Sequence, residues 1–247
     1  KFFEEDLASR TELFRLMEHI RPDAVMHFAA NALVPESMTN PSKYFRNNVA
    51  NGINLLEACV QAGVGKFVFS STCAIFGVPK KVPIPEDAAK DPINPYGESK
   101  LMFERILNWY DRQHGLTYVC LRYFNAAGCT RKFGEHHWQE THLIPNVLKV
   151  ALGQKPHVDI FGTDYPTPDG TCLRDYVHVA DLADAHVRAL ARLRAQGGSA
   201  TYNVGTERPS SVRDVIAAVE RVTGRRVACR SASRRAGDPA ALFASAQ

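Results

Sequence analysis

The sequence predicts an α/β fold: a parallel sheet with helices on both faces, joined to a smaller C-terminal α/β lobe. Two nearly all-apolar strands, Ala24 to Ala30 and Lys66 to Thr72, are separated by one long helical pattern, which makes a βαβ crossover. A second crossover follows, ending in a strand from Thr117 to Phe124. Strands this apolar along their whole length are covered on both faces, as in parallel sheets, and the second of them turns polar only at its carboxyl end.

Taken in order, Lys1-Phe2-Phe3 reads as part of a strand, with no initiator Met. The opening therefore looks like the middle of a longer chain. Ser9 and Glu12 spell a capping box, and Leu13, Leu16, Met17 and Ile20 form a helical stripe that Pro22 ends. After a loop with Pro35 and Pro41, Ser42 to Ala62 reads as one helix, with Val49, Ile53, Leu56 and Val60 in register and Gly63 as its cap. A Pro-rich loop leads to a helix from Tyr96 to about His114. Beyond Asn125, short strands (Val158 to Phe161, Thr201 to Val204, Val227 to Arg230) mix with helices near 143–152, 179–193 and 212–222. The domain boundary is set at 125/126, the second lobe interleaving with the end of the main sheet.

Composition narrows the function. A 45% hydrophobic, 23% charged chain is an ordinary globular one, and no run approaches the roughly 18 apolar residues of a membrane span. Six scattered cysteines without a C-x-x-C pair read as reduced thiols, and a cytoplasmic, non-membrane protein is expected. The net charge of +4 predicts no nucleic-acid partner; Arg225, Arg226, Arg230, Arg234 and Arg235 crowd together without a local acid, but no aromatics interleave with them. That cluster needs an anion or solvent, and solvent is the reading for Arg225, Arg226 and Arg230.

Tyr96 and Lys100 lie one helical turn apart, on one face. An ammonium near a phenol favours the phenolate, so the pair can take and return a proton near neutral pH. Ser70, Ser71 and Thr72 end a parallel strand at the sheet edge where ligands of such folds bind. A tyrosine at a helix entry, a solvated lysine and a loop start would leave the same letters, so the pair by itself does not decide.

The word Asn94-Pro95-Tyr96-Gly97-Glu98-Ser99-Lys100 adds the context. With it the chain resembles, over essentially its whole length, the Rossmann-like extended short-chain dehydrogenases/reductases, and among them the nucleotide-sugar 4-epimerases. The resemblance implies Thr72, Tyr96 and Lys100 as catalytic residues and NAD as a tightly bound cofactor. It places Asp6, Leu7, Phe28, Ala29, Ala30, Asn47, Ser70 and Phe124 beside that cofactor, together with Tyr96 and Lys100. Thr72, Asn125, His142, Leu143, Phe161 at a uridine-stacking position, Arg174 and Arg235 at phosphate and Asp238 at ribose fall on the nucleotide-sugar side. Arginine forks suit a diphosphate because they present paired donors and permanent charge.

What the resemblance implies is interconversion of UDP-glucose and UDP-galactose through transient oxidation at C4, in a homodimer paired through helices near 42–62 and 97–113. Leu242 falls where some relatives carry a bulky Tyr, which implies room for N-acetylated sugars. Alternatives are another nucleotide-sugar epimerase, a dehydratase, or a non-catalytic binder of NAD or nucleotide sugar. Dehydratases of this kind carry acids after the catalytic Thr, and here Cys73-Ala74 follows. The segment Glu135 to His142 is rich in possible zinc ligands, but H-E-x-x-H spacing is absent and no metal is expected. His27, inside a strand, reads as a hydrogen-bonded core histidine.

Overall fold

A computed structural model describes residues 1–137, 140–235 and 238–245. The chain divides into two compact units, the first comprising residues 1–78, 86–123 and 183–203, the second 79–85, 124–182 and 204–247. The contacts thus divide the chain differently from a single cut at 125/126: residues 183–203 return to the first unit, because its sheet takes its last strand from late in the chain.

In the first unit, helix α1 (Arg10–Ile20) precedes strand β1 (Val25–His27), shorter than its apolar run suggested. Ser9 stands at the N-cap but makes no side-chain cap hydrogen bond, so the predicted capping box is absent. The cause is local: Asp6 takes the Ser9 amide on its carbonyl at 2.8 Å and the Ala8 amide on its carboxylate at 2.9 Å, turning the chain before the helix starts. Between β1 and strand β2 (Lys66–Thr72) the helical path is broken into α2 (Val34–Thr39), α3 (Pro41–Tyr44), a π-helical turn (Phe45–Ala50) and α4 (Asn51–Gln61). Pro35 and Pro41 sit at helix starts, where a missing N–H is harmless. The wider π turn shifts the buried face: Leu55, Leu56, Ala58 and Cys59 are buried, while Ile53 and Val60 are half-exposed. Gly63 follows in a left-handed conformation, φ 73°, as predicted.

A 3₁₀ turn (Cys73–Phe76) leaves β2, and α5 (Pro95–His114) leads to β3 (Thr117–Tyr123). The sheet order is β1-β2-β3-β7, with β7 at Ala200–Val204 following helix α7 (Val179–Ala195). β1, β2 and β3 are parallel, with His27 beside Phe69 and Thr72 beside Tyr123. Leu13, Met17, Leu56, Phe67, Phe103 and Leu107 fill the core between α1, α4, α5 and the sheet. Gly52 lets two helices meet closely: a Cβ there would lie 2.4 Å from the Phe103 ring.

In the second unit, β6 (Leu173–His178) pairs in parallel with β4 (Asn125–Ala127) and β10 (Ala241–Leu242), and antiparallel with β8 (Pro209–Ser211). A separate parallel pair joins β5 (Val158–Phe161) to β9 (Cys229–Ala232). Helices α6 (Leu143–Ala151) and α8 (Val212–Thr223) cover it with Val147, Val150, Val215 and Ile216. All six cysteines are free thiols; four are buried, and Cys129 and Cys229 are exposed. Among the described residues, no helix is long and apolar enough to cross a membrane.

Candidate active site

The carboxyl ends of β1, β2 and β3 face one edge of the first sheet, and the sequence there supplies its polar groups. Asn94 caps α5, accepting the Gly97 amide at 2.8 Å, and Pro95 opens the first turn, so Tyr96 stands at the helix start and Lys100 one turn on. Gly97 permits a close seat on the 3₁₀ turn, since a Cβ there would lie 2.6 Å from the Ala74 carbonyl oxygen. That turn is itself begun by the Thr72 hydroxyl oxygen, which accepts the Ala74 amide at 3.2 Å.

Thr72, Tyr96, Lys100 and Ser70 are brought together. The Thr72 and Tyr96 side chains are hydrogen-bonded. Lys100, buried, donates from Nζ to the Ser70 carbonyl at 2.8 Å and lies 4.8 Å over the Phe69 ring. The electrostatics differ from the sequence expectation of a phenolate near neutral pH. Burial pushes the Tyr96 hydroxyl up to about 12, and the Thr72 bond only partly offsets this. Burial also depresses the Lys100 ammonium to about 8. The lysine serves the Ser70 carbonyl, and low-dielectric surroundings disfavour either charge, so the chain by itself holds a neutral tyrosine.

A network absent from the sequence reading supports the pair. Buried Asn48 donates to the Asn31 carbonyl and to Ser99 Oγ, both at 3.0 Å, and accepts the Asn31 amide at 2.8 Å and the Asn47 side-chain amide at 3.0 Å. Ser99 Oγ in turn donates to the Tyr96 carbonyl at 2.7 Å. Asn47, the predicted residue, reaches this network through Asn48; the adjacent asparagines were the available signal. Beneath the strand end, buried Glu104 accepts Ser71 Oγ at 2.6 Å and a two-pronged pair from Arg122 at 3.0 and 2.7 Å.

The remaining predicted cofactor residues lie as follows. Phe28 is exposed at the end of β1, its ring 4.6 Å from that of His186, and Ala29 and Ala30 continue the turn. Asp6 lies in the turn before α1, and the Leu7 carbonyl accepts the Asn54 side-chain amide at 2.9 Å. Phe124 is buried, its amide on the Val204 carbonyl, and belongs to the second unit. His27 is buried between the rings of Phe67, Phe69 and Phe103, and burial, with Lys100 adding to it, lowers its imidazole to about 4. Parallel-strand ends, an exposed aromatic ring and an ammonium with protons to spare fit a dinucleotide's ribose and ring.

In the second unit, Arg235 stacks its guanidinium 3.9 Å over the Phe161 ring. Arg174 pairs with Asp238 and donates to the Leu173 carbonyl at 2.8 Å. Arg174 and Asp238 are thus brought together, as are Phe161 and Arg235. Asn125 lies in β4 opposite Tyr176, and Leu143 begins α6 directly after His142. Arg225, Arg226 and Arg230 are exposed, as expected for solvated side chains, and members of the cluster also find partners. Arg230 pairs with Asp159 at 2.9 Å, Arg234 with Asp164 at 2.8 Å, and Arg225 donates to the Ala151 carbonyl at 3.1 Å. Their acids and acceptors come from distant parts of the chain, which a local charge count omits.

Residues 1–205 match the model of the NAD dependent epimerase/dehydratase family. The chain is 52% identical over 245 residues to a UDP-glucose 4-epimerase of Azospirillum brasilense, covering 98% of this chain and 70% of that relative. Among solved structures, UDP-glucose 4-epimerase from Brucella ovis in complex with NAD superposes with a TM-score of 0.96 at 47% identity, over all of this chain and 76% of that one. The Bifidobacterium longum UDP-glucose 4-epimerase in complex with NAD+ and UDP gives 0.93 at 37% identity, over 99% of this chain and 74% of that one.

Proposed function

The chain belongs to the NAD dependent epimerase/dehydratase family, and from that membership we infer that it interconverts UDP-glucose and UDP-galactose by inverting C4, with NAD as its cofactor. The observation that carries this reading is the grouping of Thr72, Tyr96 and Lys100 at the carboxyl edge of a parallel sheet, in a chain about half identical to such epimerases.

Bound NAD supplies a hydride acceptor at C4 and, on return, a hydride donor. The chain supplies the proton handling. Tyr96 takes the proton of the sugar 4-hydroxyl and gives it back to the same oxygen after the keto sugar has presented its other face. Thr72, already bonded to Tyr96, holds that hydroxyl and lowers the cost of charge on the phenol. Lys100 is fixed by the Ser70 carbonyl and the Phe69 ring, and would hold the ribose of bound NAD. Because burial raises Tyr96 to about 12, proton transfer depends on Lys100 keeping its charge, and a cationic ring of bound NAD would add to it.

Phe161 and Arg235 are assigned to the uracil and phosphate, and Arg174 and Asp238 to the diphosphate and ribose. Asn125, His142 and Leu143 complete that side, and Asp6, Leu7, Phe28 to Ala30, Asn47, Ser70 and Phe124 line the cofactor. A homodimer is part of the reading: α5 leaves Trp109 57% exposed, an aromatic ring for a second copy to cover. So is a cytoplasmic location, to which six free thiols lend support.

The test is conversion of UDP-galactose to UDP-glucose by the NAD-loaded protein with Tyr96→Phe in parallel. Turnover should fall on the order of a hundredfold or more in the variant. Equal turnover in the two proteins would remove Tyr96 from its role, and no turnover in either would remove the substrate assignment.

A further inference from the structure

Between β4 and α6 the chain runs through the segment that the sequence reading left without a metal. There the fold turns Glu135, His137, Glu140 and His142 toward one another, with one potential ligand atom from each lying within 4.8 Å of all the others. Nδ1 of His137 is 3.0 Å from Glu135 Oε1 and 3.6 Å from Glu140 Oε2. Nδ1 of His142 is 3.0 Å from the same Glu135 oxygen and 2.7 Å from Glu140 Oε1. The two imidazoles face each other with centroids 4.9 Å apart. We propose that these four side chains form a binding site for a single divalent transition-metal ion of the zinc class.

Size supports it. Tetrahedral zinc with bonds of about 2.0–2.1 Å to nitrogen and oxygen holds its ligands about 3.3 Å apart; the nitrogen–oxygen separations here, 2.7 to 3.6 Å with the two histidines meeting different oxygens of Glu140, lie around that value, and a small inward shift would close the set on one ion. Chemistry supports it too. Two imidazoles with two carboxylates are a nitrogen–oxygen set suited to Zn²⁺, whereas Ca²⁺ and Mg²⁺ take oxygen ligands and soft Cu(I) takes sulfur. The two carboxylate charges balance a dication.

Hydrogen bonding alone accounts less well for this arrangement. Each imidazole has one Nδ1, yet both are turned toward the same pair of carboxylates, crowding two N–H groups into one small volume. As ligands, the same nitrogens offer lone pairs to one point, and His142, bound through Nδ1, keeps its other ring nitrogen for the nucleotide sugar. The positions are also braced. The His142 amide donates to Glu140 Oε1 at 2.7 Å, and the Asn146 side chain donates to the His142 carbonyl at 2.8 Å. Glu140 is 6% exposed and forms the floor, while the other three side chains keep 29 to 49% of their surface open, leaving an entry path. The bound ion would clasp residues 135–137 to residues 140–142 ahead of α6. Cys129, exposed on the same loop, lies outside the group of four.

The experiment reads metal binding and is independent of turnover. Metal-stripped protein is titrated with Zn²⁺ by calorimetry and with Co²⁺ by visible absorption. One ion per chain should bind, with d–d bands and no thiolate charge-transfer band. His137→Ala should weaken zinc binding at least about tenfold, and Cys129→Ser should leave it unchanged. His137 is substantially exposed, so metal-free wild type and variant should unfold together; if they do not, Glu135→Gln takes its place with the same expected loss. No saturable binding to the wild type, undiminished binding to the histidine variant, or loss in Cys129→Ser would each overturn the site.

Discussion

Tyr96 and His27 show how burial decides a side chain's chemistry. For Tyr96, spacing placed the lysine one helical turn on, but desolvation, only partly offset by Thr72, raises the phenol to about 12. His27 is the converse case. Its imidazole is kept neutral by the rings around it, with a folded pKa of about 4 against an ordinary value of 6.5. Above pH 6.5 both the folded and unfolded forms are neutral there. Between pH 6.5 and 4 the unfolded chain binds the proton first, so stability falls as the pH drops. On the order of 2–3 kcal/mol should be lost from this group between pH 7 and 4.5. Denaturant unfolding at these two pH values should show the loss in wild type and a shallower slope in His27→Leu; equal slopes would remove the effect from His27. Leu242, half-buried and beside Arg174 in register, carries the expectation of room for larger sugars. Turnover of UDP-N-acetylglucosamine, followed by product chromatography, is the expected outcome.

At the scale of elements, the junctions matter more than the helices and strands they join. The end of β2 is tied to α5 and β3 through the Glu104–Arg122 pair, whose side chains are almost fully buried. Removing one partner strands the other charge, so Glu104→Ala should cost about 3–5 kcal/mol of unfolding free energy. It should also lower turnover by releasing Ser71 next to Thr72. Denaturant titration measures the first effect and the C4 conversion assay the second. The start of α5 is equally constrained. Gly97→Ala would drive a methyl group into the Ala74 carbonyl, which is backbone and cannot rotate away. A thermal midpoint lowered by several degrees is expected, with turnover falling as Tyr96 shifts. The π turn after α3 lies outside the reach of periodicity, because a 3.6-residue pattern carries no mark for one wider turn.

For the whole molecule, the second copy is the open assignment. Light scattering on a sizing column should give twice the chain mass for wild type and the single mass for Trp109→Glu, whose charge a buried interface would reject. Much of each unit was legible in the sequence. The apolar runs, the Asn94-Pro95 helix start and the Tyr96/Lys100 spacing are local signals, because hydrophobic periodicity and cap chemistry act over one or two turns. They determined the parallel sheet, the order of its elements and the residues at its edge. Other features depended on groups far apart in the chain. Asp159 and Asp164 neutralise arginines some seventy residues later. Asn48 meets Ser99 across two helices, and residues 183–203 rejoin the first unit to supply the last strand. Four ligand-type side chains without a familiar spacing converge in one loop. Such pairings follow from three-dimensional packing and desolvation, which sum over neighbours the linear order does not specify. The sequence by itself determined which chemistry the chain carries; only the tertiary structure decided the partners and protonation of the groups that perform it.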